Sequence, residues 1–406
     1  MPEFIANNIV PILLGSVSVS IGLIGLAFNV GSKLGETKSP GADKIRDAHE
    51  QAERQKREAE RQTKIAEEAN ARAAKQANDI RRYRSLKEAL LGGDKSLWNS
   101  HPTVPIDGYD TLINSSEINV VAVMNLKGGV GKTTITSNLA AHFSQSMNKR
   151  VLIVDLDYQG SATAALLRMM RYEDVPYQHA KRMFSSANKM PTLPEFTMPI
   201  GDRLPRVDLV PCSYEFAALE NRNMVSWLFQ ETDHDPRYRL PALLYSEEFR
   251  ERYDVVIIDA PPRLSLGAIN ALTACRTLLV PTIPDLMSTE AVGNFMSQLN
   301  ALAEILNPAL QRVLLGVNRS ASTNMSSEEQ RLIKRAEEYM SSWRGVVRTI
   351  PQNIPNRVVF GKALSEQTIA YLMDDKVTSQ TITSILSEFG DFVAYEMGLR
   401  ADENVR

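Results

Sequence analysis

The stretch VMNLKGGVGKTTITSNLAAHF, residues 123–143, places a glycine-rich turn between an apolar segment and an amphipathic one. The apolar segment INVVAVMN (118–125) is typical of a buried parallel strand, and TTITSNLAAHFSQ (133–145) is typical of the helix that follows such a turn. In a strand, loop and helix of this kind, backbone N–H groups surround phosphate oxygens and the helix N-terminus adds its dipole. The sequence therefore predicts a phosphate-binding loop within an α/β domain.

The residues of the turn each have an expected part in nucleotide binding. Lys132 is expected to neutralise the β and γ phosphates, and Thr133 is expected to ligate Mg²⁺. The predicted nucleotide contacts are Gly128, Gly129, Val130, Gly131, Lys132, Thr133 and Thr134. The turn differs from the usual G-x-x-x-x-G-K-[ST] pattern, because Leu126 stands where the first glycine is expected and a second lysine, Lys127, follows it.

Several segments together resemble one known family. KGGVGKTT, with its early lysine, resembles the deviant Walker A motif of the ParA/MinD family of P-loop ATPases. RVLIVDLDYQGSAT (150–163) resembles the family's second motif, although Tyr158 and Ser161 replace its proline and asparagine. Further resemblance lies in the segments YDVVIIDAPPRLSLGAINALTACRTLLVPTIPDLMSTEAV (253–292), VLLGVNRS (313–320) and VVRTIPQN (346–353). The resemblance covers residues 116–395 and implies a mostly parallel P-loop sheet flanked by helices.

Five side chains receive roles from chemistry or from this resemblance. Asp259 ends the apolar strand VVIID, and a carboxylate there is suited to hold Mg²⁺, usually through water. The resemblance implies that Asp157 positions the attacking water and that Asp155 supports the metal shell. It also implies that Lys127 reaches the phosphates of a partner subunit and that Asn318 contacts adenine. The alternative for the carboxylates is that they cap helices. The implied reaction is Mg²⁺-dependent hydrolysis of ATP.

The N-terminal region predicts a membrane anchor. No charged residue occurs between Phe4 and Gly31, and IVPILLGSVSVSIGLIGLAFNV (9–30) reaches the roughly 20 apolar residues that a bilayer-spanning helix needs. Positive charges follow this segment, which places the rest of the chain in the cytoplasm by the positive-inside tendency. A cleaved signal peptide is the alternative, but Glu3 and the lack of a clear cleavage site argue against it. The expectation is a single-pass inner-membrane protein.

Residues 42–91 predict one long helix. They are rich in Ala, Glu, Lys, Arg and Gln and contain no glycine or proline, and pairs such as Glu53 and Arg57 have the favourable i, i+4 spacing. A weakly apolar heptad suggests a marginal coiled coil, and a solitary solvated helix is the alternative. The predicted organisation is a membrane segment (1–31), hinge and stalk (32–91), linker (92–115), ATPase domain (116–395) and tail (396–406).

Composition limits the class of partner and ligand. The net charge of −2 gives no global basis for nucleic-acid binding, so nucleic acid is a possible partner, through a local basic face, but is not indicated. Cys212 and Cys275 are far apart in sequence and support neither a disulfide framework nor a metal knuckle. The expected ligands are ATP and Mg²⁺, and the expected partners are further copies of the chain in a homodimer or higher homo-oligomer, the membrane, and an activating protein. The predicted function is an ATPase that switches dimerisation or partner capture in positioning, partition or assembly. The alternative is a non-catalytic, ATP-held scaffold or sensor.

Overall fold

The computed structural model describes residues 41–93, 97–171, 179–185, 192–321, 325–373 and 379–400. Two compact units divide the chain between Ser85 and Leu86. The first described element is helix α1 (Gly41–Leu91), which lies where the sequence predicts a helix from residue 42 to about residue 91. Most of its described side chains are exposed, and the predicted pair of Arg57 and Glu53 forms with a separation of 3.2 Å. The coiled coil stays a prediction.

The described part of the second unit is built on one nine-stranded sheet. Its strands are β1 (Asn119–Val123), β2 (Val151–Asp155), β3 (Met198–Pro199), β4 (Val207–Val210), β5 (Val255–Asp259), β6 (Thr277–Thr282), β7 (Arg312–Ser320), β8 (Val346–Thr349) and β9 (Ile354–Pro355). Their spatial order is β3-β4-β2-β5-β1-β6-β7-β8, and β9 also pairs with β7. The β3–β4 pair is antiparallel and the other described pairs are parallel. The predicted, mostly parallel α/β sheet is therefore confirmed.

Helices pack on the sheet. They are α2 (Tyr109–Ser115), α3 (Lys132–Gln145), α4 (Ser161–Met169), α5 (Ala180–Ser185), α6 (Glu215–Leu228), α7 (Arg239–Leu244), α8 (Glu247–Arg252), α9 (Leu266–Ala274), α10 (Leu286–Leu306), α11 (Ser327–Met340), α12 (Val358–Ser365) and α13 (Ser379–Met397). Strand β1 shows why two cores form. Val120 and Ala122 join one hydrophobic cluster, whereas Val121 and Val123 join the other, because successive side chains of a strand point to opposite faces. Burial on both faces explains the continuous apolar runs of the central strands.

The strand order brings three loop-bearing strand ends together. Strand β5 lies between β2 and β1, and Asp259 is in register with both Asp155 and Val123. Because these strands are parallel, their carboxyl ends meet at one edge of the sheet, which is where ligands of open α/β sheets bind. The glycine-rich loop after β1 is thereby placed beside both carboxylates.

Residues 97–115, which the sequence predicts as part of a linker, place the side chains of Trp98, Tyr109 and Ile113 in the core of the second unit. Trp98 is fully buried, and its Nε1 donates a hydrogen bond to the carbonyl oxygen of Leu264 at 2.7 Å. The buried guanidinium of Arg237 pairs with Asp235 at 2.6 Å and also donates to the carbonyl oxygen of Trp98 at 2.7 Å. A buried charge needs such complete pairing, so this segment is fixed firmly to the domain.

The predicted membrane-spanning segment, residues 9–30, lies outside the described residues. Across the ranges that the structure does describe, no helix has the length and apolar character required to cross a membrane. The long helix α1 carries charged side chains along its whole length, and the 21-residue helix α10 includes Glu290 and Glu304 among other polar residues. The described residues therefore give no support to the expectation of a single-pass inner-membrane protein bound to the membrane through an N-terminal helix.

Candidate functional site

The loop between β1 and α3 has a backbone that only glycine adopts readily. Gly129 and Gly131 have φ angles of 77° and 94°, in the left-handed region that disfavours side chains. A Cβ at Gly131 would lie 2.0 Å from Nδ2 of Asn318, so the close approach of β7 also requires glycine there. By contrast, a Cβ built at Gly128 or Gly129 would meet no heavy atom of the described residues within 4 Å. The outer side of the loop is thus open to a ligand.

The first turn of α3 supplies a cation and a hydroxyl. Lys132 is only 8% exposed, and its Nζ donates hydrogen bonds to the carbonyl oxygens of Asn125 at 3.2 Å and Lys127 at 3.1 Å. Burial lowers the pKa of Lys132, although nearby carboxylates, Asp259 first among them, oppose this shift. The hydroxyl of Thr133 donates to Oδ2 of Asp259 at 2.7 Å. Predicted phosphate and metal residues therefore lie side by side.

Asp259 is buried and incompletely bonded. It is 1% exposed, and among the described residues its Oδ1 has no hydrogen-bond partner. Burial raises the pKa of Asp259 to about 7, against the hydrogen bond from Thr133 and the charge of Lys132. A buried carboxylate oxygen without a partner is costly unless a ligand completes it. Together with the Thr133 hydroxyl, it offers the hard oxygen ligands that Mg²⁺ prefers, so these residues fit that ion.

A cation held there would need further ligands from outside the protein. Within the described ranges, no group of three or more His, Cys, Asp or Glu side chains forms a metal site. Mg²⁺ is commonly bound by one or two protein oxygens together with phosphates and water. The donor set at Thr133 and Asp259 suits an ion that arrives with a nucleotide.

Asp155 lies beside Asp259 on the neighbouring strand, but both of its oxygens accept hydrogen bonds. Its Oδ1 accepts a hydrogen bond from the backbone N–H of Asp157 at 3.1 Å, and its Oδ2 accepts from Thr163 N at 2.9 Å and Thr163 Oγ1 at 2.7 Å. Burial, and then the charge of Asp259, raise the pKa of Asp155 well above its ordinary value. Asp157 is half-buried, and its Oδ1 accepts from the N–H of Gln159 at 3.0 Å. Asp155 thus braces the turn that carries Asp157.

Lys127 lies at the rim of the site. Its side chain is 27% exposed, and its Nζ lies 3.5 Å from Oδ1 of Asp285, the residue that caps helix α10. Burial opposes ionisation of Asp285, but hydrogen bonds from Ser288 and the charge of Lys127 hold the pKa of Asp285 below its ordinary value. The ammonium group therefore pairs with the start of α10, next to the loop from which it arises.

Asn318 and Thr134 complete the predicted set. Asn318 is buried at β7, and its Nδ2 donates a hydrogen bond to the carbonyl oxygen of Val130 at 2.9 Å. This side chain thus supports the glycine loop from a neighbouring part of the sheet. Thr134 lies in the first turn of α3, where its carbonyl oxygen accepts from Nδ2 of Asn138 at 2.7 Å. All the predicted site residues meet at the same edge of the sheet.

The sequence reasoning missed Asn125, which fixes the start of the loop. Asn125 is fully buried; its Oδ1 accepts from the N–H of Lys127 at 3.0 Å, and its Nδ2 donates to the carbonyl oxygen of Pro281 at 2.7 Å. A signal was present, because this amide ends an otherwise apolar strand. A buried polar side chain in that position has to find partners, and the loop backbone is the nearest source.

Comparisons with known proteins now identify the family. Residues 118–312 match the family described as an AAA domain. The chromosome-partitioning ATPase Soj of Thermus thermophilus is 31% identical over 208 residues, which cover 50% of this chain and 69% of that protein. The sporulation initiation inhibitor protein Soj of Bacillus subtilis is 30% identical over 238 residues, which cover 58% of this chain and 85% of that protein. The chain belongs to the ParA/MinD family of P-loop ATPases.

This ParA/MinD-family chain matches only part of some relatives. The aligned regions span from 45% to 85% of the length of the curated relatives that the chain matches. Among solved structures, a McdA–ATP complex from Cyanothece has a TM-score of 0.54 at 19% identity, covering 70% of this chain and 98% of that one. At that identity the likeness shows the shared fold, which agrees with the P-loop sheet described above.

Proposed function

We propose that this ParA/MinD-family chain binds ATP with Mg²⁺ at the edge formed by β1, β2 and β5 and hydrolyses it to ADP and phosphate. The observation that carries the proposal is that Oδ1 of Asp259, beside the Thr133 hydroxyl and the open glycine loop, has no hydrogen-bond partner in the part of the chain that the structure describes. A buried site with a vacant acceptor, a hydroxyl and a lysine has the donors and acceptors that a metal–triphosphate requires.

The residues of the glycine loop and those next to it each bind a different part of the nucleotide. The backbone of residues 128–134 surrounds the phosphates, and Lys132 exchanges its hydrogen bonds to loop carbonyls for bonds to phosphate oxygens. Thr133 and Asp259 hold the Mg²⁺, which when bound neutralises charge on the β and γ phosphates. Asn318 supports the loop through Val130 and contacts the adenine through the remainder of its amide.

Two carboxylates have different parts in hydrolysis. Asp157 is half-buried. It orients the attacking water, and this requires that one oxygen of its side chain point out of the turn. Asp155 holds the turn by accepting a hydrogen bond from the N–H of Asp157. It supports the metal shell indirectly, from its position next to Asp259 on the adjacent strand. Placement of the water is one part of the positioning that, together with electrostatic stabilisation, makes up the protein's contribution to phosphoryl transfer.

ATP binding controls assembly in this proposal. Lys127 leaves Asp285 and reaches the phosphates of a second copy, which makes dimerisation depend on bound nucleotide and places the loop in the deviant Walker A class. The switch serves partition, positioning or assembly, in keeping with the chromosome-partitioning relative, and an activating protein acts on the dimer. The net charge does not indicate DNA as the surface on which it acts.

Three variants test this function in the purified chain. Asp157→Ala is expected to bind Mg²⁺-ATP but to release phosphate at less than about one hundredth of the normal rate, in the range expected for loss of a water-positioning group. Lys132→Ala is expected to lose ATP binding. Lys127→Ala is expected to bind ATP and remain monomeric by light scattering, whereas the matched control Lys334→Ala, on the exposed face of α11, dimerises normally.

One result would replace the catalytic proposal. If the unaltered chain forms ATP-dependent dimers but releases no phosphate, and Asp157→Ala changes nothing, the chain is an ATP-held scaffold or sensor. If it binds no ATP, both versions fail.

A further inference from the structure

Two loops flank the candidate site, and one side chain joins them. The first is the turn at residues 156–160, which follows β2 and carries Asp157; the second is the loop at residues 260–265, which follows β5 and Asp259. The guanidinium carbon of Arg263, in the second loop, lies 5.0 Å from the centre of the Tyr158 ring, in the first. A guanidinium at this distance from an aromatic face attracts it.

Arg263 also pairs with a buried carboxylate. Its Nη2 lies 3.2 Å from Oε2 of Glu220, which is 2% exposed. The other oxygen of Glu220 accepts hydrogen bonds from Ser265 Oγ at 2.6 Å and Gly267 N at 2.7 Å, at the beginning of α9. Glu220 is thus fixed to the second loop, and the pairing aims the guanidinium towards the first.

The identity of Tyr158 explains why such a contact is needed. Where the family motif has proline, whose ring fixes φ and stiffens the backbone, this chain has a residue without that restraint. The turn is closed by a hydrogen bond from Gly160 N to the carbonyl oxygen of Asp157 at 2.7 Å. The Tyr158 ring is further held edge-on by Tyr214, at 6.0 Å between centroids. Side-chain contacts thus supply stiffness that the backbone does not.

We propose that Arg263 is a positioning residue that couples the turn carrying Asp157 to the loop following Asp259, through its contacts with Tyr158 and Glu220. The proposal rests on the ATP hydrolysis proposed above. Because the first loop carries the water-orienting Asp157 and the second follows the metal ligand Asp259, a rearrangement of one is transmitted to the other through Arg263. Arg263 touches neither nucleotide nor water in this role.

Steady-state kinetics test the role in hydrolysis. Arg263→Ala is expected to lower kcat about two- to fivefold, the loss corresponding to one partly exposed cation–π contact, and to change KM for Mg²⁺-ATP less than about twofold. Tyr158→Leu should lower kcat similarly, and the double variant should be no slower than either, because the two side chains act through one contact. Tyr158→Phe should keep most of the kcat of the unaltered chain, and Arg263→Lys should keep part of it. Arg222→Ala, on the exposed face of the helix that carries Glu220, is the matched control.

A second measurement does not depend on turnover. Amide hydrogen exchange of residues 156–164 in the nucleotide-free chain should accelerate at least about threefold in Arg263→Ala, more than exchange in the core strand β5, and should be unaffected in Arg222→Ala. Unchanged kcat in Arg263→Ala, in a chain that hydrolyses ATP, would overturn the positioning role. A chain without phosphate release would overturn the hydrolysis proposal, and unchanged exchange would then overturn the coupling of the loops as well.

Discussion

Helix α3 joins two buried polar regions that differ in how completely their groups are paired. At its first turn, the hydrogen bonds of Lys132 among the described residues go to loop carbonyls. Beside it, Oδ1 of Asp259 has no hydrogen-bond partner among the described residues. In its last turn, His142 has a partner at each ring nitrogen, Asp391 at 2.9 Å and the hydroxyl of Tyr371 at 3.3 Å. A buried ionisable group that is fully paired serves the fold, whereas one left incomplete indicates a place for a ligand.

The same contrast occurs within the site. Asp155 and Asp259 are register partners on adjacent strands, and both are buried. Asp155 accepts three hydrogen bonds from Asp157 and Thr163, but Asp259 accepts one from Thr133. Position at the end of a parallel strand therefore does not assign a role to a carboxylate. The number of satisfied oxygens does.

The largest effect is expected at Asp259. Asp259→Asn should weaken Mg²⁺-dependent ATP binding about 100-fold, since a neutral amide is a poor ligand for a hard divalent ion. The free energy of unfolding of the nucleotide-free chain should be unchanged or higher, because the substitution removes a buried, half-satisfied carboxylate. Calorimetric titration with ATP, in Mg²⁺ and in excess chelator, and urea unfolding of the same samples measure both quantities.

Asp155→Asn is the matched control for this comparison. It should lower the free energy of unfolding by about 1–3 kcal/mol, because one amide cannot accept all the bonds now donated by Thr163 and Asp157. Its effect on the Mg²⁺ dependence of ATP binding should be smaller than that of Asp259→Asn. If the two variants lose equal stability and Asp259→Asn still binds ATP in a Mg²⁺-dependent manner, the contrast between the two carboxylates is wrong.

A pH effect is expected at the other end of α3. Burial lowers the pKa of His142 below its ordinary value of 6.5, although the carboxylate of Asp391 opposes the shift. Below pH 6.5 the unfolded chain therefore binds a proton that the folded chain does not, and the free energy of unfolding falls by up to about 1.4 kcal/mol per pH unit. The loss ends at the pKa of the folded state. Urea unfolding between about pH 5 and pH 8 measures it.

His142→Gln separates this histidine from other groups. His179, whose pKa burial lowers to about 4, contributes with the same sign, so the difference between the two chains is the relevant quantity. Glutamine keeps hydrogen-bonding capacity without titrating in this range. The variant should be less stable than the parent chain near neutral pH and should lose less stability on acidification. Parallel pH profiles for the two chains would refute the assignment.

Local sequence patterns were sufficient to predict the sheet and to place the glycine loop beside the ends of its strands. Buried parallel strands are apolar runs, the glycine turn has a fixed place after such a strand, and Asp155 and Asp259 end two of them. Pairings between distant residues could not be predicted, because they depend on the folded arrangement. Examples are Arg263 with Tyr158 and Arg237 with the carbonyl oxygen of Trp98.

The membrane prediction concerns residues outside the described ranges, and no described helix supports it. It rested on one uncharged apolar run and on the positive charges after it, and these state only that a segment is compatible with a bilayer. The phosphate loop was predicted from a strand, a turn, a helix and later motifs that agreed with one another. Agreement between independent levels of sequence pattern is what made that part of the prediction secure.

The smallest effect is expected at Asn318, where two roles lead to different results. Asn318→Ala removes the donor to the Val130 carbonyl and should weaken ATP binding about 3–10-fold, in line with the loss of one ordinary hydrogen bond of about 1 kcal/mol. If the side chain acts only by supporting the loop, binding of ATP and GTP should fall by the same factor, because the loop meets the phosphates that both share. If it also contacts adenine, ATP binding should fall further than GTP binding. Competition titrations with both nucleotides measure that ratio, and an unchanged affinity for both would show that Gly131 and its neighbours hold the loop without it.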